Sequence, residues 1–437
     1  MPGKRWEAWL LAGLVVFSGR SDARLDQPST LVFPTFEHTW GIRKATSVHL
    51  FMFVGLRTRF DDPQGLAAVR LRSWDDPETE DDDDELVVYG VNSGQNNIIW
   101  NTSMTSVGVF GDDLLNAPGG IAADEDGHVW VADTGNHRLA CLFNPGDQLV
   151  YQGTMGSPGT GPGQFRFPSD LAVDSQGRLY VTDTGNSRIQ IFDADGRLLR
   201  IIEAGLQRPE RIAVIDADEA WSYYGDTFLC VTDHDGRRLV KLSPDGELLK
   251  VADDQQTSWE KAYYGYPAID YYGNIWVTDE ANHCIHKFDR NLKYIVSFGR
   301  EGDGDGEFRS PRGLAIWRRF GQVFVAEERG AQYYWIGVDL LDVGIDSDHS
   351  NSGFIIRFFL TERAYVTIEV RDEEDHLVGV LAANQQWSTG RHRVPWGGRR
   401  PGGGTLPAGW YTVRITAEAT YSSYHYFQKT VSERIRL

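Results

Sequence analysis

Apolar residues in this chain fall in short runs that alternate with polar ones. Segments such as HVWVAD from His128 and RLYVTD from Arg178 read as strands with one buried and one outward face. They are separated by D-x-x-G turns, as in DEDG from Asp124, DSQG from Asp174 and DADG from Asp193. Glycine supplies the positive φ such a turn needs, and the aspartate side chain bonds its own backbone. No run is long enough to cross a bilayer as a helix. The pattern predicts an all-β protein.

The strands recur at a fixed interval. VADTGN from Val131 returns as VTDTGN at Val181, VTDHDG at Val231, VTDEAN at Val277 and VAEERG at Val325, in steps of 50, 50, 46 and 48 residues. A second phrase, proline followed by a small apolar run, precedes each copy: Pro63, Pro118, Pro168, Pro209, Pro267 and Pro311. Each unit parses into four strands, and a self-similar period of this length with strand content is the signature of propeller blades. The sixth unit lacks a suitable outer strand after Tyr333–Leu340, whereas VHLFMFVG (Val48–Gly55) stands before the first proline. That run is expected to close the ring as a strand and remove an open sheet edge. A six-bladed β-propeller is therefore predicted over residues 45–340. Its first blade is degenerate, with VVYGVNSGQNNIIW in place of the phrase and an acidic insertion at Asp75–Glu85.

DTGNHRL at Asp133, DTGNSRI at Asp183 and EANHCI at Glu280 resemble NHL repeats, as do the connectors GSPGTGPGQF at Gly156 and GREGDGDGEF at Gly299. The resemblance covers five units clearly and the first weakly. It implies an NHL-like propeller fold, to which the strand count adds closure by an N-terminal strand, and it says little about function, since such propellers include lyases, protein-binding modules and RNA-binding modules.

Beyond a linker at 341–352 the blade phrase stops. Short strands over 353–437 predict a small β-sandwich. HRVPWGGRRPGGGTLPAGWYTVRI resembles the Ig-like domain of flagellar hook-capping proteins, with Trp396-Gly397-Gly398 where that family carries Trp-Asp-Gly. At the other end, Lys4 and Arg5, the apolar run Trp9–Phe17 and small residues at Ser21 and Ala23 read as a signal peptide over 1–23, followed by a leader at 24–44. A secreted, periplasmic or cell-surface bacterial protein is expected.

Charge narrows the partners. A net charge of −19 argues against nucleic acid, which requires a positive footprint. The three cysteines, Cys141, Cys230 and Cys284, sit in apolar strand runs and read as core residues. Asp133, Asp183, Asp233 and Asp279 share one repeat position, so they read as turn-forming rather than catalytic. The arginines at 138, 188 and 238 are expected to pair or stack between blades.

Candidate chemistry gathers at the channel mouth, just after the six prolines. Gln64, Gly119, Ser169, Asp170, Glu210, Arg211, Ala268 and Arg312 are expected there. Of these, Gln64, Asp170, Glu210, Arg211 and Arg312 are the ligand-binding candidates, suited to a polar or zwitterionic molecule or to a self-satisfied ring of ion pairs. His137 and His283 hold equivalent positions on two blades and are the metal candidates. The leading expectation is a non-enzymatic binding or scaffold protein for an extracellular protein or glycan, with no cofactor. Exposed aromatics from YYGYP (Tyr263–Pro267) and WSYYGD (Trp221–Asp226) suit either partner. The alternative is a metal-dependent lyase or lactonase, with zinc or calcium at the channel mouth.

Overall fold

The computed structural model describes residues 28–437 except 35–42, 56–57, 75–85, 104–105, 112, 147, 204, 254–260, 349–352, 401–402 and 421–426. The signal-peptide segment 1–23 and the acidic insertion Asp75–Glu85 lie outside the described residues.

Five successive four-stranded antiparallel sheets begin with Pro63–Arg70, Ile121–Ala123, Pro168–Val173, Arg211–Ile215 and Tyr264–Ile269. A sixth sheet runs Leu314–Trp317, Gln322–Glu327 and Gly330–Ile336. Each first strand lies beside the next, and Leu314–Trp317 returns to Pro63–Arg70. The sheets thus close on themselves as a propeller. Its core is a set of wedges between sheets rather than one mass. Tyr89, Ile98 and Val131 fill the first wedge, Phe165 and Val181 the second, and Ile189, Ile212 and Val231 the third. Cys230, Val277 and Phe288 fill the fourth, and Trp276, Phe308 and Tyr334 the fifth. Burying each large apolar side chain contributes about 1.5–3 kcal/mol, which no isolated blade obtains.

The N-terminal segment does close the sixth sheet, but through different residues. Leu31–Val32 pairs with Ile336 and Trp335, and Lys44–Thr46 pairs with Gly330–Gln332. The leader thus belongs to the propeller. Val48–Gly55, expected as the closing strand, is instead the α-helix Ser47–Val54. A short run that is apolar apart from His49 carries no period that separates the two states. Thr46 ends the preceding strand in extended geometry, and its backbone N–H donates to His49 Nδ1 at 3.1 Å, so the chain is capped into a helix at that point. Leu50 is its buried residue, while Val48, Phe51, Met52 and Phe53 are exposed.

The repeated aspartate holds each sheet's entry. Buried Asp133, Asp183 and Asp233 accept the backbone N–H of Asn116, Arg166 and Gln207 at 2.8, 2.7 and 2.9 Å. The Nε–H of Arg138, Arg188 and Arg238 donates to the same carboxylates at 2.8, 2.7 and 2.9 Å. These arginines thus form their ion pairs within their own blade, while their remaining N–H groups donate to carbonyls of the connector from the preceding blade, Leu114 O, Gly161 O and Gly205 O. In the degenerate first sheet Asn92 accepts from Asp61 N at 2.7 Å, and in the sixth Glu327 accepts from Arg309 N at 2.8 Å. Cys230 and Cys284 are buried and Cys141 half-buried, all as free thiols.

The C-terminal region is two packed sheets. Leu340–Asp348, Gly353–Leu360 and Gly390–Trp396 form one; Leu377–Trp387, Ala364–Arg371, Trp410–Ala419 and Gln428–Arg436 form the other. Ile356, Phe358, Val366, Ile368, Val413 and Ile415 pack between them. The expected linker is largely the first of these strands, paired with Gly353–Leu360. The region is anchored to the fifth blade. Lys287, fully buried, forms an ion pair with fully buried Glu362, donates to Thr361 O at 2.8 Å and lies 4.5 Å from the Trp276 ring centroid. Tyr272 and Thr420 hydroxyls meet at 2.6 Å, and Lys429 reaches Asp339 at 3.3 Å.

Candidate functional site

The ring's geometry assigns two equivalent positions to each blade's entry. Pro63 faces Asn92 and Pro168 faces Asp183, and in the fifth blade Tyr264 faces Asp279. The next residue donates its N–H to the carbonyl before the acidic position: Gly119 to Ala132, Glu210 to Thr232, Arg312 to Ala326. Pro267 faces Val277, where Leu171 faces Val181 in the third blade. The fifth blade's entry is therefore Tyr264-Gly265-Tyr266, and Ala268 lies deeper, not at the mouth. A proline displaced by three residues misaligned that blade.

With the register corrected, the position after the proline reads Gln64, Gly119, Ser169, Glu210, Gly265 and Arg312 around the ring. The position after that reads Gly65, Gly120, Asp170, Arg211, Tyr266 and Gly313. Glycines occupy blades six, one and two; large polar side chains occupy blades three, four and five. The glycines are required by close approach. A Cβ on Gly65 would meet Gly120 Cα, one on Gly120 would meet Asp170, and one on Gly313 would meet Gln64 O. The axis is thus lopsided, with backbone on one half and side chains filling from the other.

Those side chains shape a cavity of about 230 Å³ lined by Asp62, Gln64, Glu210, Arg211, Tyr263, Gly265, Tyr266, Glu280, Pro311 and Arg312. Four of the five ligand-binding candidates therefore line one space. Arg211 lies over the Tyr266 ring at 4.2 Å from its centroid. Its Nη1 donates to Ser169 O at 2.9 Å and its Nη2 to Gln64 Oε1 at 3.3 Å. The Tyr266 hydroxyl donates to Gln64 Oε1 and Gly119 O, both at 3.3 Å. Burial works against the Arg211 charge, but Tyr266, Asp170 and Glu210 outweigh it and hold its pKa above the ordinary value. Arg312 is bracketed by carboxylates, pairing with Asp62 and, at 2.9 Å, with Glu280. Burial pushes the Glu210 and Glu280 carboxyls up, with Arg211 pulling the other way.

Asp170, the fifth candidate, sits outside the lining. It is 4% exposed and accepts the Ile212 N–H at 2.9 Å, stitching the third blade to the fourth. Burial raises its pKa to about 7 against the pull of Arg211 and the backbone amides.

The metal candidates are not brought together. His137 Nδ1 accepts the Phe167 N–H at 3.0 Å, and His283 Nδ1 accepts the Ser310 N–H at 3.0 Å. Each ends its turn at φ 55 and caps the next blade's connector, and neither belongs to a three-ligand cluster among the described residues. One buried trio does exist: Asp279, Cys284 and His286. Cys284 stands where the second, third and fourth blades place arginine, and His286 takes over that bond, with Nε2 at 2.9 Å from Asp279 Oδ2 and Nδ1 at 2.7 Å from Ser297 Oγ. Burial acts to raise the Asp279 pKa, but the bonds from His286 and Asn282 outweigh it. The trio fulfils the repeat's structural bond.

Asp62, Tyr263, Tyr266 and Glu280 line the cavity without having been singled out as site residues. Two of them carried a signal. Asp62 directly precedes Pro63, and Glu280 replaces the threonine of VTDT, whose counterparts Thr134 and Thr184 donate to Pro168 O and Pro209 O at 2.7 and 2.6 Å. Of the expected aromatic surface, Tyr264 and Tyr266 are buried. Trp221, Tyr223 and Tyr224 are partly exposed, with Tyr223 packed edge-on against Tyr224, Tyr271 and Tyr272.

The NHL repeat family model matches residues 115–142 and 165–192. No curated protein matches the chain. Among solved structures, a streptogramin B lyase is similar at 13% identity over 64% of this chain and 95% of its own, with a TM-score of 0.43. A gluconolactonase, XC5397 from Xanthomonas campestris, is similar at 14% identity over 67% and 94%, with a TM-score of 0.45. PorZ, a surface component of the type-IX secretion system of Porphyromonas gingivalis, is similar at 12% identity over 84% of this chain and 50% of its own, with a TM-score of 0.44. These are likenesses of fold.

Proposed function

We propose that this NHL-repeat β-propeller is a non-enzymatic binding and scaffold protein, secreted or envelope-associated. In this reading its six-bladed ring presents a rigid axial mouth to a polar ligand or to the polar end of a protein or glycan partner. The Ig-like sandwich acts as a fixed extension, because a buried ion pair and a tyrosine–threonine bond join it to the fifth blade. The partly exposed Trp221, Tyr223 and Tyr224 offer a second, aromatic surface for the same partner.

The observation that carries the reading is how the mouth's charges are disposed. Arg312 is held between Asp62 and Glu280, and Arg211 is held over the Tyr266 ring, so the groups are arranged to hold and to be held. Of the competing readings, a calcium-dependent lactonase needs free oxygen ligands, whereas Asp62 and Glu280 are paired with Arg312; a zinc-dependent lyase needs imidazoles converging on one point. His137 and His283 instead cap backbone amides of separate blades. Elemental analysis of the purified protein, with melting curves before and after chelation, tests the choice. The binding reading expects no stoichiometric zinc or calcium and no chelator-dependent shift. One tightly held ion per chain, with melting lowered on its removal, would overturn it.

A further inference from the structure

The two arginines of the mouth differ in one respect that sets the ligand's chemistry. Arg312 is saturated by two carboxylates. Arg211 makes no ion pair among the described residues. Guanidinium carries five N–H donors, and two hydrogen bonds, to Ser169 O and Gln64 Oε1, engage Arg211. Its neighbour Glu210 is the converse case. No hydrogen bond or ion pair engages the Glu210 carboxylate among the described residues, although it lines the same cavity. Arg211 and Glu210 lie in each other's field, but no ion pair at bonding distance joins them, so a cation and an anion with unused hydrogen-bonding capacity face a space of about 230 Å³, with Tyr263 beside them.

We infer that this cavity binds a small zwitterion, a molecule carrying a carboxylate and an ammonium group. This rests on the reading of the mouth as a binding site. The ligand carboxylate accepts from the spare N–H groups of Arg211, the geometry in which arginine binds most tightly. The ammonium donates to Glu210 and lies against the Tyr263 ring. A neutral sugar would expel water while leaving both charges unmatched, which is costly. A simple anion would meet Asp62, Glu210 and Glu280, and a simple cation would meet Arg211 and Arg312. The cavity is below the range of roughly 300–1,000 Å³ typical of drug-sized pockets, so the ligand is of amino-acid size.

Isothermal titration calorimetry at neutral pH tests this with defined probes. The zwitterion series is glycine, β-alanine and 4-aminobutyrate, which also reads the charge separation; the controls are acetate, methylamine and glucose. At least one of the series should bind about tenfold or more tighter than every control. Glu210→Gln, an isosteric change at a half-buried position, should weaken that binding by about tenfold or more without shifting the melting temperature. Arg211→Gln should do the same, with its fold checked by circular dichroism. If glucose binds as well as the best amino acid and Glu210→Gln has no effect, the zwitterion inference falls while the binding reading stands. Acetate equal to the amino acids would reduce the site to an anion site and overturn the inference. No binding by any probe would overturn it too, and the metal analysis would then decide the binding reading separately.

Discussion

Lys287→Met offers a sharp test of how the two regions are joined. Lys287 and Glu362 are both fully buried, Lys287 also bonds Thr361 O at 2.8 Å, and Glu362 Oε1 accepts the Arg363 N–H at 2.8 Å. Removing the lysine leaves a carboxylate in the interior with no counter-charge. Breaking one half of a buried pair costs about 3–5 kcal/mol, whereas replacing both halves with apolar groups is neutral or stabilising by about 1–4 kcal/mol. Burial already raises the Glu362 pKa, and Lys287 is among the groups holding it down. Without the lysine the folded-state pKa rises further above the unfolded one. The native state then takes up the proton first, so as pH falls from 8 towards 5 the variant should gain more stability than the parent, whose Glu362 and Asp170 carboxyls are already raised. Urea unfolding followed by tryptophan fluorescence reads this directly, since Trp276 lies against the lysine. Lys287→Met should lose about 3–5 kcal/mol at pH 8, and Lys287→Met with Glu362→Leu should recover most of it. A single variant within about 0.5 kcal/mol of the parent, or a double variant showing the sum of two separate losses, would refute the reasoning.

Three further outcomes follow from the same structure. Asp170, with a native pKa of about 7 against an ordinary 3.8, holds its proton more tightly when folded; its contribution is complete below the unfolded value and lost as pH rises to 7. Asp170→Asn should flatten the fall in urea midpoint between pH 5 and 7.5. Asp183→Ala leaves buried Arg188 without its carboxylate and should cost about 3–5 kcal/mol, read as a fall in melting temperature. In the helix Ser47–Val54, Leu50→Ala should cost about 2–5 kcal/mol, while Phe51→Ser should stay within about 0.5 kcal/mol; a large loss for Phe51→Ser would restore the strand reading of that run.

How far the sequence could be read depended on what each residue's alternatives were. The phrases at Val131, Val181 and Val231 marked their blades because the aspartate, the turn and the arginine recur together, and one interaction explains all three. Val48–Phe53 gave no such purchase, since a short run apolar apart from His49 fits a strand or a helix until the Thr46–His49 cap decides between them. Pro267 misled for a different reason. It belongs to the apolar run of the first strand, while Tyr264 has taken the proline's place, and only the pairing of Tyr264 with Asp279 reveals it. Tyr266 was hidden by that slip, and with it the surface on which Arg211 lies.

In a repeat protein the informative residues are those that depart from the repeat, but departure alone does not separate function from repair. Two departures in the fifth blade illustrate this. His286 and Cys284 abandon the usual arginine, yet the imidazole points back to Asp279 and restores the lost bond, so the break is closed inside the blade. Glu280 abandons the usual threonine, and its carboxylate turns to Arg312 across the mouth, so that break is spent on the cavity. The same test sorts the second entry position. Gly65, Gly120 and Gly313 depart from side chains because strands meet there, whereas Arg211 departs towards a space no protein group fills. A departure whose bond is restored locally belongs to the fold. One that leaves polar atoms unanswered among the described residues, as at the Glu210 carboxylate and the N–H groups of Arg211 beyond its two bonds, is where a ligand has chemistry to supply.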